Sequence, residues 1–236
     1  MNILIVESKN DRCFIEALVK KLNLDNNVQV DAAICQIDDY ECLEGLNEHK
    51  LTTKFRDVLS DVAKRGISKI GVLLDMDNET EGNRIAFVNK ALDNIVQDAN
   101  ISYTAIENSC QFTKIEIDAE TSVEIACFFT NVNGKGELET LLKAIKPTEQ
   151  HSKYADCLKH WRDCVGEDKV SDKEFGKLWV DFYVRWDTCT KNDRKQAERK
   201  CAMKNFDYIM QEKGDRIFNL DHHLLDDLRK FLNLFK

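Results

Sequence analysis

No stretch of the chain approaches the roughly 20 consecutive apolar residues that a membrane span needs. The opening MNILIVESKND has no basic segment ahead of its apolar run, and that run is too short for a secretory signal. The nine cysteines include no C-x-x-C pair. Together these absences predict a cytosolic protein whose cysteines are free thiols. Internal repeats and low-complexity linkers are also missing, so any two parts of the chain are expected to pack on each other. Positive charge is in deficit: the net charge is −8 and the pI is near 5.3. Such a surface attracts nucleic acid or anionic membrane only through local basic patches or bound metal ions. The single proline, Pro147, ends a helical stretch, because it can neither donate a backbone hydrogen bond nor fit the preceding turn.

What is present is enough apolar material for a sizeable core, 43% of 236 residues. That suits one large domain, or one domain with an accessory lobe. NILIV reads as a fully buried strand. Asp11 can cap the helix that follows, which has Phe14, Ile15, Leu18, Val19 and Leu22 on one face. VQVDAAIC (28–35) is a second strand, 51–64 a helix, KIGVLLD (69–75) a third strand and 84–96 a helix. This alternation predicts an α/β fold with a mostly parallel sheet flanked by helices. ISYTAI, TKIEI and VEIACFF then read as short strands. The loop NVNGKG leads into a helix at 137–145, and beyond Pro147 the residues favour helix. The expected organisation is an α/β domain at 1–147 and a helical C-terminal lobe at 148–236, the latter holding Trp161, Trp179 and Trp186.

The segment GVLLDMDNETEG (71–82) breaks from an apolar run into Asp75, Asp77, Glu79 and Glu81. In open α/β sheets, functional groups gather at the carboxyl ends of strands. Glu7 ends the first strand as Asp75 and Asp77 end the third. Neighbouring strands lie about 4.8 Å apart, so adjacency of the first and third would bring three carboxylates together. Two bare carboxylates at about 4 Å repel by about 4 kcal/mol at an effective dielectric of 20. Such a cluster calls for a divalent cation or raised pKa values, and oxygen-only ligands suit Mg²⁺ or Mn²⁺. The competing reading is a solvated turn whose acids face the N-terminus of the next helix.

Glu7 in IVES, with Asp75 and Asp77 in LLDMD, resembles the topoisomerase–primase (Toprim) pattern: a glutamate ending the first strand and Asp-x-Asp ending a later one. The stretch VESKNDRCFIEALVKKL is similar to the first strand and helix of standalone Toprim-like and OLD-type nucleases, in which an acid like Asp11 follows the glutamate by four. VEIACFFTNVNGKGELETLL, with Leu138 and Glu139, resembles a segment of small Toprim-like proteins, as does the closing IFNLDHHLLDDLRKFLNLF. The 68-residue separation of Glu7 and Asp75 leaves room for two βα units. Ser8 stands where many nuclease members have glycine.

The resemblance implies a Mg²⁺-dependent nuclease that cleaves phosphodiester bonds of DNA or RNA. Glu7, Asp75 and Asp77 would be its catalytic metal ligands. Glu139 and Asp11 are further ligand candidates, ahead of Glu79 and Glu81. It also implies a cytoplasmic effector of bacterial defence against phage, working with an ABC- or OLD-type ATPase partner, and leaves homo-oligomers open. Two alternatives remain. One is a non-catalytic Toprim-fold module in a larger assembly. The other is a HAD-like phosphatase, whose pattern wants a hydroxyl residue where Glu79 stands. KNDRKQAERKCAMK (191–204) places Lys191, Lys195 and Arg199 on one helical stripe and Lys200 and Lys204 on another, a candidate phosphate track. His222 and His223 fit a helix start better than catalysis. Cys157, His160 and Cys164 lack a fourth ligand for zinc and read as a helical face with buried thiols.

Overall fold

A computed structural model describes residues 1–35, 45–96, 101–166 and 168–236. In chain order the first elements are β1 (Asn2–Val6), α1 (Lys9–Lys21), β2 (Val28–Val30), α2 (Glu48–Ser60), α3 (Val62–Arg65), β3 (Lys69–Asp75) and α4 (Glu81–Val96). Then follow β4 (Ser102–Tyr103), β5 (Thr113–Glu116) and β6 (Ser122–Thr130). The remainder is helical: α5 (Leu138–Ala144), α6 (Lys153–Asp156), α7 (Leu158–Val165), α8 (Asp172–Phe182), α9 (Lys191–Arg194), α10 (Ala197–Lys200), α11 (Phe206–Ile217) and α12 (Asp226–Asn233). No helix among the described residues is long and apolar enough to cross a membrane.

The fold is mixed α/β. Its six-stranded sheet has the order β2-β1-β3-β6-β5-β4. β2, β1, β3 and β6 run parallel, while β5 and β4 are antiparallel additions at one edge. β1 and β3 are the most apolar strands because helices cover both of their faces. On one face Ile3, Ile5, Val72 and Leu74 pack with Phe55, Val58 and Leu59 of α2 and with Val88 and Leu92 of α4. On the other, α12 returns to the sheet: Phe231 lies against Phe128 and Phe235 against Phe112. Gly71 makes this return fit. A Cβ there would stand 2.5 Å from Leu4 Cδ2 and 2.7 Å from Phe235 Cζ.

Chain contacts divide the protein into two units, Met1–Thr130 with Asp227–Lys236, and Asn131–Asp226. The boundary expected at 147 therefore falls inside the second unit, and the C-terminal strap belongs with the first. The strap's amphipathic helix and terminal phenylalanines supply the cover that one sheet face would otherwise lack.

In the second unit α5 and α8 pack together. Trp179 is buried and stacks on Tyr183 at 5.2 Å, and the Tyr183 hydroxyl donates to the Ile217 carbonyl at 2.7 Å. Buried Asp187 accepts the backbone N–H groups of Tyr154 and Ala155 at the start of α6.

The expected set of nine free thiols is corrected here. Cys189 and Cys201 form a disulfide, although no spacing motif marks them. Cys110, Cys127, Cys157 and Cys164 are free thiols, and Cys42 lies outside the described residues. Cys157 and Cys164 are exposed rather than buried, because α7 is a peripheral helix that buries only Leu158.

Candidate functional site

β1 and β3 are hydrogen-bonded neighbours, with Val6 opposite Leu73. The chain leaves β1 toward β2 at one edge, and from β3 it proceeds to the strands on the other side. The carboxyl ends of β1 and β3 therefore flank a topological switch point, where open α/β sheets leave a crevice. Glu7 and Asp75 stand at these two ends, 9% and 7% exposed. Glu7 Oε2 accepts the Asp75 backbone N–H at 3.2 Å. Burial raises the Glu7 pKa to about 7, and the negative charges of Asp11 and Asp77 add to that effect. The Asp75 N–H and the Arg84 guanidinium oppose it. Burial is thus the main reason that Glu7 holds its proton, with the neighbouring acids second.

Asp77 reaches this site by a turn rather than by strand alternation. After Asp75, the Met76 N–H donates to the Thr130 carbonyl at 2.9 Å, which ties the end of β3 to the end of β6. Asp77 then takes φ +53°, a left-handed conformation that aspartate adopts more readily than most residues. Its Oδ2 accepts Arg84 Nη2 at 2.8 Å. Arg84 Nε also donates to the Asp75 carbonyl at 2.6 Å, and Nη2 donates to the same oxygen. Arg84 is itself buried. Sequence reasoning missed it. The available signal was a cation in the first turns of a helix, where the macrodipole disfavours positive charge, seven residues after Asp77.

Asp11 serves the backbone directly. Ser8 is the N-cap of α1 and Asp11 its N3 partner in a capping box. Asp11 Oδ2 accepts both the Ser8 N–H at 2.9 Å and its hydroxyl at 2.6 Å. The serine that replaces glycine here therefore has a structural task.

A model described as "Protein of unknown function (DUF3226)" matches residues 1–236. The chain belongs to the DUF3226 family. No curated protein and no solved structure matches it.

The remaining candidates of this DUF3226 chain have other partners or lie in the second unit. Glu79 accepts from Asn83 Nδ2 at 2.9 Å and Glu81 accepts from the Ser109 hydroxyl, so both serve the start of α4 and its surroundings. Glu139 is buried in the first turn of α5, in the second unit. His222 caps a short 3₁₀ turn, its Nδ1 accepting from the Leu224 N–H. The basic stripe expected over Lys191, Lys195 and Arg199 is broken. α9 and α10 are separate single turns, because Gln196 leaves helical geometry between them.

The donors of the acid site suit a hard divalent cation in their chemistry: anionic oxygens, with Glu7 shifted upward by burial first and by the charges of Asp11 and Asp77 second. Among the described residues, no group of three or more His, Cys, Asp or Glu side chains is arranged to hold a metal ion.

Proposed function

We propose that this DUF3226 chain is a Toprim-like, metal-dependent nuclease that cuts phosphodiester bonds of DNA or RNA. The observation that carries this reading is the placement of Glu7 and Asp75 side by side at the carboxyl ends of adjacent parallel strands, at the switch point of the sheet. Asp77 stands close enough to shift Glu7. Glu7, Asp75 and Asp77 would hold Mg²⁺ or Mn²⁺, which when bound neutralises phosphate oxygens and activates water. Arg84 fixes the Asp75 backbone and turns Asp77. Asp11 is a further ligand candidate, and Lys191, Lys195 and Arg199 are candidate nucleic-acid contacts. We further propose a cytoplasmic setting, a role in defence against phage and an ATPase partner of the ABC or OLD type.

A second reading has its own observation. Arg84 already neutralises Asp77, and Asp11 is committed to a capping box. Two of the acids thus have structural partners, as in a non-catalytic module of a larger assembly.

Incubation of the purified chain with a panel of DNA and RNA, in Mg²⁺, Mn²⁺ or EDTA and with or without candidate ATPases, separates the two. Metal-dependent cleavage supports the nuclease. Binding without cleavage under every condition supports the module.

A further inference from the structure

The segment between Cys189 and Cys201 plays no part in the acid site. Both cysteines are buried, and the loop they close contains α9 and α10. A single helical turn has little stability alone, because nucleation is costly. Here a capping box of Thr190 and Asp193 holds α9, and Arg194 Nη1 donates to the Cys189 carbonyl at 2.7 Å. The cross-link, the capping box and the Arg194 hydrogen bond together hold the segment.

That segment is locally basic on an acidic protein. Residues 185–200 include six basic side chains against three acidic ones. Asp187 is buried on backbone N–H groups and Asp193 is engaged in the capping box. Glu198 pairs with Lys204 at 3.5 Å. Lys191, Lys195 and Arg199 are exposed. Trp186 is 40% exposed, and the guanidinium carbons of Arg185 and Arg194 lie 5.7 and 5.5 Å from its ring centre. A guanidinium stacked on an indole keeps N–H donors for phosphate at its edge, and aromatic faces beside cations are how single-stranded nucleic acid is commonly held.

The sulfur chemistry is selective. Cys110 and Cys127 are neighbours, with the Cys110 N–H on the Cys127 carbonyl at 2.9 Å, yet they are not joined. Burial raises both thiols, Cys127 to about 12, which withholds the thiolate needed for exchange. Cys189 differs: Lys213 Nζ lies 3.0 Å from its sulfur. An ammonium there favours Cys189 as the leaving thiolate when the bond is attacked. Disulfides in cytosolic proteins are usually transient and regulatory.

We propose that Cys189–Cys201 is a reversible latch on a docking surface for the phosphate backbone of single-stranded nucleic acid. Joined, it presents Arg194, Lys195, Arg199 and Trp186 together; opened, it lets them separate. A dithiol reductant opens it. α9 and α10 bury no residue, so local opening of the segment admits one reductant thiolate to Cys201 Sγ; the S–S bond breaks, and Cys189 leaves as thiolate beside Lys213. The second reductant thiol resolves the mixed disulfide. Two electrons and two protons pass to the cysteines, and the reductant departs as its own disulfide.

The ligand class rests on the nuclease reading, so the test measures binding in EDTA, where no cutting occurs. Fluorescent single-stranded 20-mers of DNA and of RNA are titrated with the full chain, oxidised or treated with dithiothreitol. Reduction should weaken binding at least fivefold, and reoxidation should restore it. The Lys195→Glu/Arg199→Glu variant should bind at least tenfold more weakly in the oxidised state. Cys189→Ser should behave like the reduced wild type, with thermal melts reporting its fold. Equal affinity in both redox states, no binding in either, or free Cys189 and Cys201 thiols in air-oxidised protein would each overturn the latch. Cleavage with redox-independent binding would sink the latch and keep the nuclease. Redox-dependent binding with no cleavage in any metal would do the reverse.

Discussion

Arg84 reaches back from the first turns of α4 to Asp77, Nη2 to Oδ2 at 2.8 Å, while its Nε holds the Asp75 carbonyl at 2.6 Å. One buried cation therefore positions both acids of the Asp-x-Asp pair. It also occupies part of the electrostatic role that a divalent ion would take in the same crevice.

Replacing Arg84 by Met should leave a carbonyl and a carboxylate without this donor. The expected loss is about 2 kcal/mol, or about 4–8 °C in Tm for a chain of this size. If a divalent ion and Arg84 compete for the same acids, Mg²⁺ should raise the Tm of Arg84→Met more than that of the wild type. Thermal melts with and without Mg²⁺ read both effects. An unchanged Tm would show that the guanidinium does not hold the turn.

Glu7 makes stability depend on pH in a defined direction. Its ordinary pKa of 4.5 rises to about 7 in the folded chain, so the folded state holds this proton more tightly than the unfolded one. Below about pH 4.5 the group is protonated in both states and costs nothing. As pH rises toward 7 the unfolded chain releases its proton first, and stability falls until the folded group ionises as well. The cost at pH 8 is about 3 kcal/mol at the conversion of 1.36 kcal/mol per pKa unit. Glu7→Gln, whose amide oxygen can still accept the Asp75 N–H, should be more stable than wild type by up to that amount at pH 8 and nearly equal at pH 4.5. Denaturant melts in EDTA at the two pH values test it. A variant less stable than wild type at pH 8 would contradict the assignment.

Much of this site was legible in the sequence, and the reason is local. A strand buried on both faces must be a continuous apolar run, so an acid at its end is conspicuous, as at Glu7 and Asp75. Helix α4 and strand β3 were legible for the same reason. Strand order was not: the adjacency of β1 and β3 was an open condition, and nothing local says that β6 pairs parallel to β3 while β5 turns antiparallel beside it. Arg84 was missed because its partners are backbone and turn atoms fixed only once the strands are aligned. The Cys189–Cys201 link joins residues 12 apart, across a break between two single turns that a helical stripe had concealed. The C-terminal strap escaped notice because its apolar face shows that it is covered without saying by what.

Asp75→Ala should abolish metal-dependent cleavage, by at least about 100-fold given what removing one charge-stabilising group costs, while leaving the far-ultraviolet circular dichroism unchanged. Apo stability should not fall by more than about 1 kcal/mol, since the Asp75 backbone N–H and carbonyl that Glu7 and Arg84 use remain. Cleavage at the wild-type rate would exclude the acid site from the chemistry. Vanadate-sensitive release of phosphate from small monoesters would move the assignment to a phosphatase.

Gly71 couples β3 to the C-terminal strap. It lies on β3 four residues before Asp75, and a Cβ there would come within 2.7 Å of Phe235 Cζ and 2.5 Å of Leu4 Cδ2. Gly71→Ala should therefore destabilise the chain by about 1–3 kcal/mol through overpacking, although alanine suits a strand better than glycine on backbone grounds. Leu4 can turn a terminal methyl aside, whereas the Phe235 ring is wedged between Phe112 and Phe231. The ring is thus the harder obstacle, and shortening it should relieve the clash. Phe235→Leu alone should cost stability by opening a cavity, but in the Gly71→Ala background it should cost less. The coupling between the two should exceed about 0.5 kcal/mol, the threshold that separates contacting from independent sites. A double-mutant cycle by urea denaturation measures it. Strict additivity would mean that α12 does not seat Phe235 over Gly71, and that the strap is held to the sheet by other contacts.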